Sequence, residues 1–416
     1  MIDSRRTFDE LEAVYVLKKR HLLRDSLMKS IPHKGPSPSH SSHSRSTRHL
    51  KRLAGIGASL ALLSVALPAA ATQWWSQTPY IYIGPTVVNV TNFGANGNGV
   101  MDDTAAFQAA INALPANGGT IVVPNGTYMI DATKGINLRS NVRLSLWSGA
   151  TLKAIPNNAS FAAVVKVWNA SNVEILGGHI EGERYHHLGT NGLGYGISIQ
   201  ESSTVYVHDI TVADSWGDGV LVGTTSGWRK FTPVSNITLN RVTSTNSRRQ
   251  ALTITGANQV YVVNSNLNGS NGTAPQAGID IEPQTLGTAT SIRIEKSAFS
   301  NNMGCGLEVH DAVNGLTVTG NTAKANHGYG VFTLGATNVT ITNNWLTQNY
   351  LFGVDIDAGT QNVSLGNNTI NYNGAAWLVA HGESVFTLGY VLRDITISGS
   401  ASGVTQYGNT ITPMKQ

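Results

Sequence analysis

Short apolar blocks alternate with polar ones along the second half of the chain. Six strands are predicted, each led by a glycine or alanine, at intervals of roughly 22 to 32 residues. They are Gly219-Val-Leu-Val, Ala251-Leu-Thr-Ile, Gly278-Ile-Asp-Ile-Glu-Pro, Gly306-Leu-Glu-Val-His-Asp, Gly330-Val-Phe-Thr-Leu and Gly353-Val-Asp-Ile-Asp. Side chains alternate faces along a strand, so the first and third residues after each leading position, nearly all Val, Ile or Leu, point inward. The second and fourth then point outward. A repeat of this length predicts a solenoid, because no unit buries its apolar face alone and stacking creates the core.

Two asparagine series support stacking. Asn314, Asn338 and Asn362 are 24 residues apart, and Asn302, Asn326, Asn349 and Asn373 follow at 24, 23 and 24. Equal spacing places the amides above one another, about 4.8 Å per rung, where they can bond in ladders. These columns are structural. Three insertions break the period, at residues 181–194, 225–233 and 268–276. Insertions in a solenoid become loops, often on the binding face.

Upstream, Val88 to Phe93 reads as a strand entering a Gly/Asn turn. Asp103 or Thr104 then caps a helix whose stripe is Phe107, Ala110, Ile111 and Leu114. Residues 118–128 read as strand, turn, strand, and residues 72–86 as a linker or short N-terminal strand. The β-solenoid domain is expected over 87–416.

Charge refines this picture. Charged residues are only 12% of the 416. Residues 1–71 carry 12 Lys+Arg against 5 Asp+Glu, while the whole chain is +4, which leaves residues 72–416 at −3. A slightly acidic body removes the electrostatic basis for nucleic-acid binding. The basic segment resembles an export signal: Arg45, Arg48, Lys51 and Arg52 precede the apolar run Leu53–Leu67 and the small-residue site Pro68-Ala-Ala-Ala71. The run is too short to predict a stable membrane span. Cleavage near Ala71 would deliver a secreted or periplasmic protein, with Met28 a candidate start and residues 1–27 an extension. The one cysteine, Cys305, permits no intramolecular disulfide and reads as a small buried turn residue.

Two phrases carry a family resemblance. Residues 93–111 spell Phe-Gly-Ala-x-Gly-x-Gly-x-x-Asp-Asp-Thr-x-Ala-x-Gln-x-Ala-Ile, and residues 118–128 spell Gly-Gly-Thr-Ile-Val-Val-Pro-x-Gly-Thr-Tyr. Over residues 88–155 the chain resembles the pectate-lyase-like right-handed parallel β-helix superfamily, including its rhamnogalacturonase- and epimerase-like members. The resemblance implies an all-β, single-stranded right-handed parallel β-helix solenoid with an N-terminal capping α-helix. It does not carry over a catalytic set. The polygalacturonase-like G-H-G and R-I-K phrases are absent. Where alginate-epimerase-like members carry D-P-H and N-D-R-H-G, this chain has Gly219-Val-Leu-Val and Asn246-Ser-Arg-Arg-Gln-Ala251.

Candidate chemistry therefore comes from the residues themselves. Asp280 and Glu308 occupy equivalent outward positions on adjacent strands, and their carboxylates are expected about 5 Å apart. Glu282 with Glu308 forms a diagonal pair at roughly 7–8 Å, within the inverting-glycosidase range. Adjacent carboxylates do not both ionise cheaply, so one becomes an acid and the other a base. His310, two residues beyond Glu308, is a further acid/base candidate. Asp218 lies between two glycines at the head of a strand beside Trp216. Arg248 and Arg249 suit a uronate carboxylate, with a salt bridge to Asp218 or Asp280 as the competing reading. Trp216, Trp228, Tyr185 and His187 are the candidate sugar contacts. Asp355 and Asp357 lie farther along the wall and are candidates for substrate or cation binding. No zinc-type spacing occurs, and Ca²⁺ is the cation that the Asp-bearing strands suit.

The expected function is a secreted enzyme acting on a uronate-containing polysaccharide, with glycosidic hydrolysis favoured over β-elimination or C5 epimerisation. A non-catalytic glycan-binding surface protein is the alternative. The expected partner is a polysaccharide, and neither nucleic acid nor a membrane span is expected.

Overall fold

The computed structural model describes residues 73–223, 234–283, 287–374 and 394–412. The leader and Trp228 lie outside the described residues, as does the whole of the second predicted insertion, 225–233. The described residues form a right-handed parallel β-helix. A ten-stranded sheet runs from Ile136–Leu138 to Ile395–Ile397, with every neighbouring pair parallel. A longer parallel sheet covers other faces, and a four-stranded sheet joins Thr322–Lys324, Trp345–Thr347, Thr369–Asn371 and Thr410–Thr412.

The predicted inward positions form the core. Ile279, Ile281, Leu307, Val309, Val331, Val354 and Ile356 are all fully buried. The leading glycines are there because the chain passes too close for a side chain. A Cβ on Gly306 would lie 2.6 Å from the Gly330 carbonyl oxygen and 2.8 Å from the Asn326 amide.

Both asparagine columns form ladders. In the buried column the Nδ2 of Asn302 donates to Oδ1 of Asn326, Asn326 to Asn349, and Asn349 to Asn373, at 2.8–2.9 Å. Asn338 donates to Asn314 at 2.7 Å and Asn362 to Asn338 at 3.2 Å in an exposed column. A third column, Asn321, Asn344, Asn368 and Asn409, is bonded in the same way.

The helix spans Thr104–Ala113 and buries Phe107, Ala110, Ile111 and the adjoining Leu114 in the same core. Its cap differs from expectation. Oδ1 of Asp102 accepts from the Thr104 backbone N–H, whereas the Asp103 carboxylate turns back to the Asn96 and Gly97 N–H groups. The Gly/Asn turn draws in the second aspartate and leaves the first at the helix start.

Residues 73–85 are no free linker. Backbone oxygen of Gln77 accepts from the Tyr206 hydroxyl and from Nδ2 of Asn240, both at 2.8 Å, and Trp75 lies 4.5 Å from the Arg293 guanidinium. Gly84 packs against Asn117 and Gly118 at the start of the solenoid. The segment thus runs along the axis across the long sheet, from its first strands to the strand carrying Arg293. Thr86–Asn89 then enters the sheet beside Gly119–Val123. Among the described residues no helix is long and apolar enough to cross a membrane.

Candidate active site

The outward column of the ten-stranded sheet reads Thr253, Asp280, Glu308, Phe332, Asp355 in direct register. Asp280 and Glu308 therefore stand on adjacent rungs, as predicted. Outward does not mean solvated. Asp280 is 0% exposed and Glu308 6%, so the expected open acid patch is a buried polar cluster. Alternation sets which way a side chain points, but neighbouring rungs and turns decide what covers it.

One step along each strand, Glu282 and His310 also occupy equivalent positions, since their N–H groups bond to Ile254 and Ile281, the preceding rungs' carbonyls. Both are partly exposed. The cluster thus has two layers, with Asp280 and Glu308 inside and Glu282 and His310 outside. Nε2 of His310 lies 3.1 Å from Oε1 of Glu308 and 3.6 Å from Oδ1 of Asp280.

This arrangement sets the protonation states. Burial, then the Glu308 carboxylate, push the Asp280 carboxyl up to about 8. Burial alone would lower His310, but its hydrogen bond to Glu308 and the surrounding carboxylates outweigh that and raise it to about 9. Both groups thus hold their protons more tightly than usual, the kind of perturbation that marks a candidate acid–base site. Oδ1 of Asp280 is buried without a hydrogen-bond partner, an open polar atom facing the cluster.

A second arm approaches from the preceding rungs. Nη1 of Arg249 donates to Oδ2 of Asp218 at 3.0 Å, and the Thr253 hydroxyl lies 2.8 Å from the same oxygen. Arg249 is thus ion-paired, the competing reading of its sequence position. Asp218, at the head of its strand, is fully buried. Burial pushes its carboxyl up against the opposing pull of Arg249. Gln250 joins the arms: its Oε1 lies 3.2 Å from the Thr253 hydroxyl, and its Nε2 donates to Oδ2 of Asp280 at 2.5 Å. Sequence reasoning missed Gln250 and Thr253. A signal for Gln250 existed, because it precedes its strand at the same repeat position as Asp218.

Several predicted sugar contacts are corrected. The Arg248 guanidinium lies 3.8 Å from the Trp216 ring centre, and His187 stacks on that ring at 4.0 Å and 11°. Two groups so close to one ring take opposite faces, so Trp216 has no face for a sugar. Arg248 also donates to the Trp216 carbonyl, the Thr273 hydroxyl and the Gly192 carbonyl, which makes it a loop clamp. Nδ1 of His187 is paired with Glu183 at 2.8 Å and its Nε2 with the Asn191 carbonyl at 3.1 Å. These three residues join the insertions at 181–194 and 268–276. Tyr185 is 66% exposed, with its hydroxyl accepting from Asn246, and remains open to a ligand. Asp355 and Asp357 are buried two rungs beyond Glu308, with Phe332 between, and do not join the cluster. Among the described residues no three His, Cys, Asp or Glu side chains gather as a metal site. Cys305 is buried, as expected of a turn residue.

Comparison with known proteins agrees with this architecture. The family description "Rhamnogalacturonase A/epimerase, pectate lyase-like" matches residues 87–170, and "Right handed beta helix region" matches residues 278–412. The chain is 28% identical to the uncharacterized protein YclG of Bacillus subtilis (strain 168) over 282 residues, covering 60% of this chain and 48% of that protein. The chain thus spans about half the length of that curated relative. It is 38% identical to an iota-carrageenase of Alteromonas macleodii over 97 residues, which is 22% of this chain and 19% of the other. Among solved structures, the A-module of the mannuronan C-5 epimerase AlgE6 of Azotobacter vinelandii superposes with a TM-score of 0.58 at 21% identity. That match covers 79% of this chain and 94% of the module.

Proposed function

We propose that this chain, which belongs to the pectate-lyase-like right-handed β-helix superfamily, is an exported enzyme that hydrolyses glycosidic bonds in a uronate-containing polysaccharide. The observation that carries the reading is the placement of His310. Its Nε2 lies within 3.1 Å of Glu308 and 3.6 Å of Asp280, and the Glu282 rung stacks beside it. His310 and Glu282 form the outer layer and are the groups that meet substrate. His310 donates its proton to the departing glycosidic oxygen as the C–O bond breaks. Glu282 takes a proton from the attacking water. Glu308 and Asp280 hold the imidazolium behind them.

Support for a polysaccharide comes from the iota-carrageenase match and from the epimerase module's shared architecture. The export-signal-like leader within residues 1–71 supports export.

The test is a panel of pectin, alginate, rhamnogalacturonan, carrageenan and bacterial exopolysaccharides with purified residues 72–416, with and without EDTA. New reducing ends without the ultraviolet absorbance of an unsaturated uronide are expected. That absorbance would replace hydrolysis by β-elimination, and altered C5 stereochemistry without cleavage would replace it by epimerisation. Binding without turnover across the panel would make the protein a glycan-binding one. Glu282→Gln and His310→Gln should each lower kcat by about 10²–10⁴-fold, and full activity in both would overturn the assignment. N-terminal sequencing of exported protein should begin near residue 72, and a start before residue 60 contradicts cleavage at Ala71.

A further inference from the structure

Trp168 ends the strand Phe161–Trp168 and is 37% exposed. Among the described residues it is the one exposed aromatic side chain on a strand of the ten-stranded sheet. Register fixes its place there. Trp168 stands opposite Gln200. The N–H groups of Gly223, Thr255, Glu282 and His310 then bond in turn to the carbonyls of Ile199, Val222, Ile254 and Ile281 on the preceding rungs. One outward column therefore runs from Trp168 through Gln200, Gly223 and Thr255 to Glu282 and His310. Trp168 lies four rungs from Glu282, roughly 19 Å at about 4.8 Å per rung. Gly223 and Thr255 put no long side chain between the two ends.

The indole is held in place. Its Nε1 donates to the Ser198 hydroxyl at 3.1 Å, and the Phe161 ring lies 5.7 Å away at 56°. Gln200 is tied to the same hydroxyl at 2.9 Å. A cation sits beside the ring, with Nζ of Lys166 5.1 Å from its centre. Lys166 is largely buried and donates to the Thr133 and Lys134 carbonyls at 2.9 and 2.7 Å. An ammonium has three N–H donors, so one is left for another acceptor. No carboxylate among the described residues pairs with it. Asp131, which faces it, is taken by Lys134 at 2.8 Å. A fixed, exposed aromatic ring next to an unpaired cation suits a sugar ring that carries an acid group. The apolar C–H face of the sugar lies on the indole, and the acid group turns to the ammonium.

We propose that Trp168 and Lys166 form a distal subsite for an anionic sugar unit of the polysaccharide that is cleaved at Glu282 and His310. A pyranose unit is comparable in length to one rung. A glycan laid along the column therefore reaches both places only when it is several units long. This deepens the reaction proposed for Glu282 and His310 and rests on its substrate reading.

The test is calorimetric binding of galacturonate, mannuronate and sulfated galactan oligomers, each eight units long, to the full-length chain. At least one should bind. Trp168→Leu keeps an apolar contact for Phe161 but has no flat face, and it should weaken that oligomer about ten-fold. Trp168→Phe restores a ring and should stay within about three-fold of the wild type. Lys166→Met should also cost about ten-fold, and unchanged affinity there overturns the choice of an anionic sugar. On a cleaved polymer, Trp168→Leu should raise KM about ten-fold and change kcat by less than about two-fold, because the subsite holds ground state and transition state alike. Wild-type affinity in folded Trp168→Leu overturns the proposal, as does failure of every anionic oligomer to bind the unaltered chain. If circular dichroism shows Trp168→Leu unfolded, oxidation of Trp168 by N-bromosuccinimide in the unaltered chain decides, read at that residue by peptide mass spectrometry. The bound oligomer should slow it several-fold, and an equal rate overturns the proposal. Trp168-dependent binding without turnover would sink hydrolysis alone, whereas turnover with Trp168-independent binding would sink the subsite alone.

Discussion

At the scale of single residues, environment separates side chains that look alike in sequence. Arg248 and Arg249 are neighbours, yet one clamps Trp216 and the other neutralises Asp218. His187 and His310 are both flanked by carboxylates. His187 ties its two nitrogens within its own loop, while His310 stands beside a buried acid with an open oxygen. This distinction predicts different failures. Trp216→Ala should lower stability by about 2–4 kcal/mol, because it removes the ring between Arg248 and His187. KM of the remaining folded enzyme should change by less than about three-fold. Thermal unfolding with kinetics at a matched folded fraction checks this. A large rise in KM with unchanged stability would restore Trp216 as a sugar contact. The sequence could nominate Arg, His and Trp by chemical type. It could not show which of them the loops consume, because the partners that claim Arg248 lie 25–56 residues away.

At the scale of elements, the strands stand because their turns are pinned. The repeat spacing, the inward Val/Ile/Leu positions and two of the asparagine columns were legible, since a stacked repeat writes its period into the chain. The ladders differ in worth. Asn326 is buried; its Oδ1 accepts from the backbone N–H and Nδ2 of Asn302, and its Nδ2 donates to the Phe299 carbonyl and to Asn349. Asn326→Ala leaves several buried groups unpaired and should cost about 3 kcal/mol or more. Asn338→Ala, in the exposed column, should cost less than about 1 kcal/mol because water replaces the lost partners. Urea unfolding of the pair measures the contrast, and equal losses would mean that the ladders work by strand pairing alone. The axial course of residues 73–85 was not legible. Its partners, Tyr206, Asn240 and Arg293, belong to the solenoid's middle, and nothing in the local pattern points to them.

At the scale of the whole molecule, the buried cluster sets a pH dependence. Asp280 is raised in the folded state, so the folded protein holds a proton there that the unfolded chain has lost, and this opposes folding as pH rises from about 4 towards 8. His310 is raised too. Its favourable contribution is complete below its ordinary midpoint and is lost as pH rises from about 6.5 through 9. Both signs agree: the cluster makes Tm fall between about pH 5 and 9. Opposing this at low pH, Asp209 is held down to about 2, chiefly by its hydrogen bond to Arg241, and contributes stability that is lost as pH falls below about 4. Asp280→Asn should flatten the alkaline slope and exceed the wild type in Tm near pH 8–9; an unchanged slope would place the effect elsewhere. The chain by itself determined the solenoid, its inward face and the adjacent rungs of Asp280 and Glu308, because a periodic fold repeats its rule in one dimension. Only the tertiary structure decided that those acids are buried, that Gln250 and Thr253 link them to Asp218, and that Trp216 is already covered. Burial and partnership depend on loops and rungs brought together from distant positions, and no local period records those contacts.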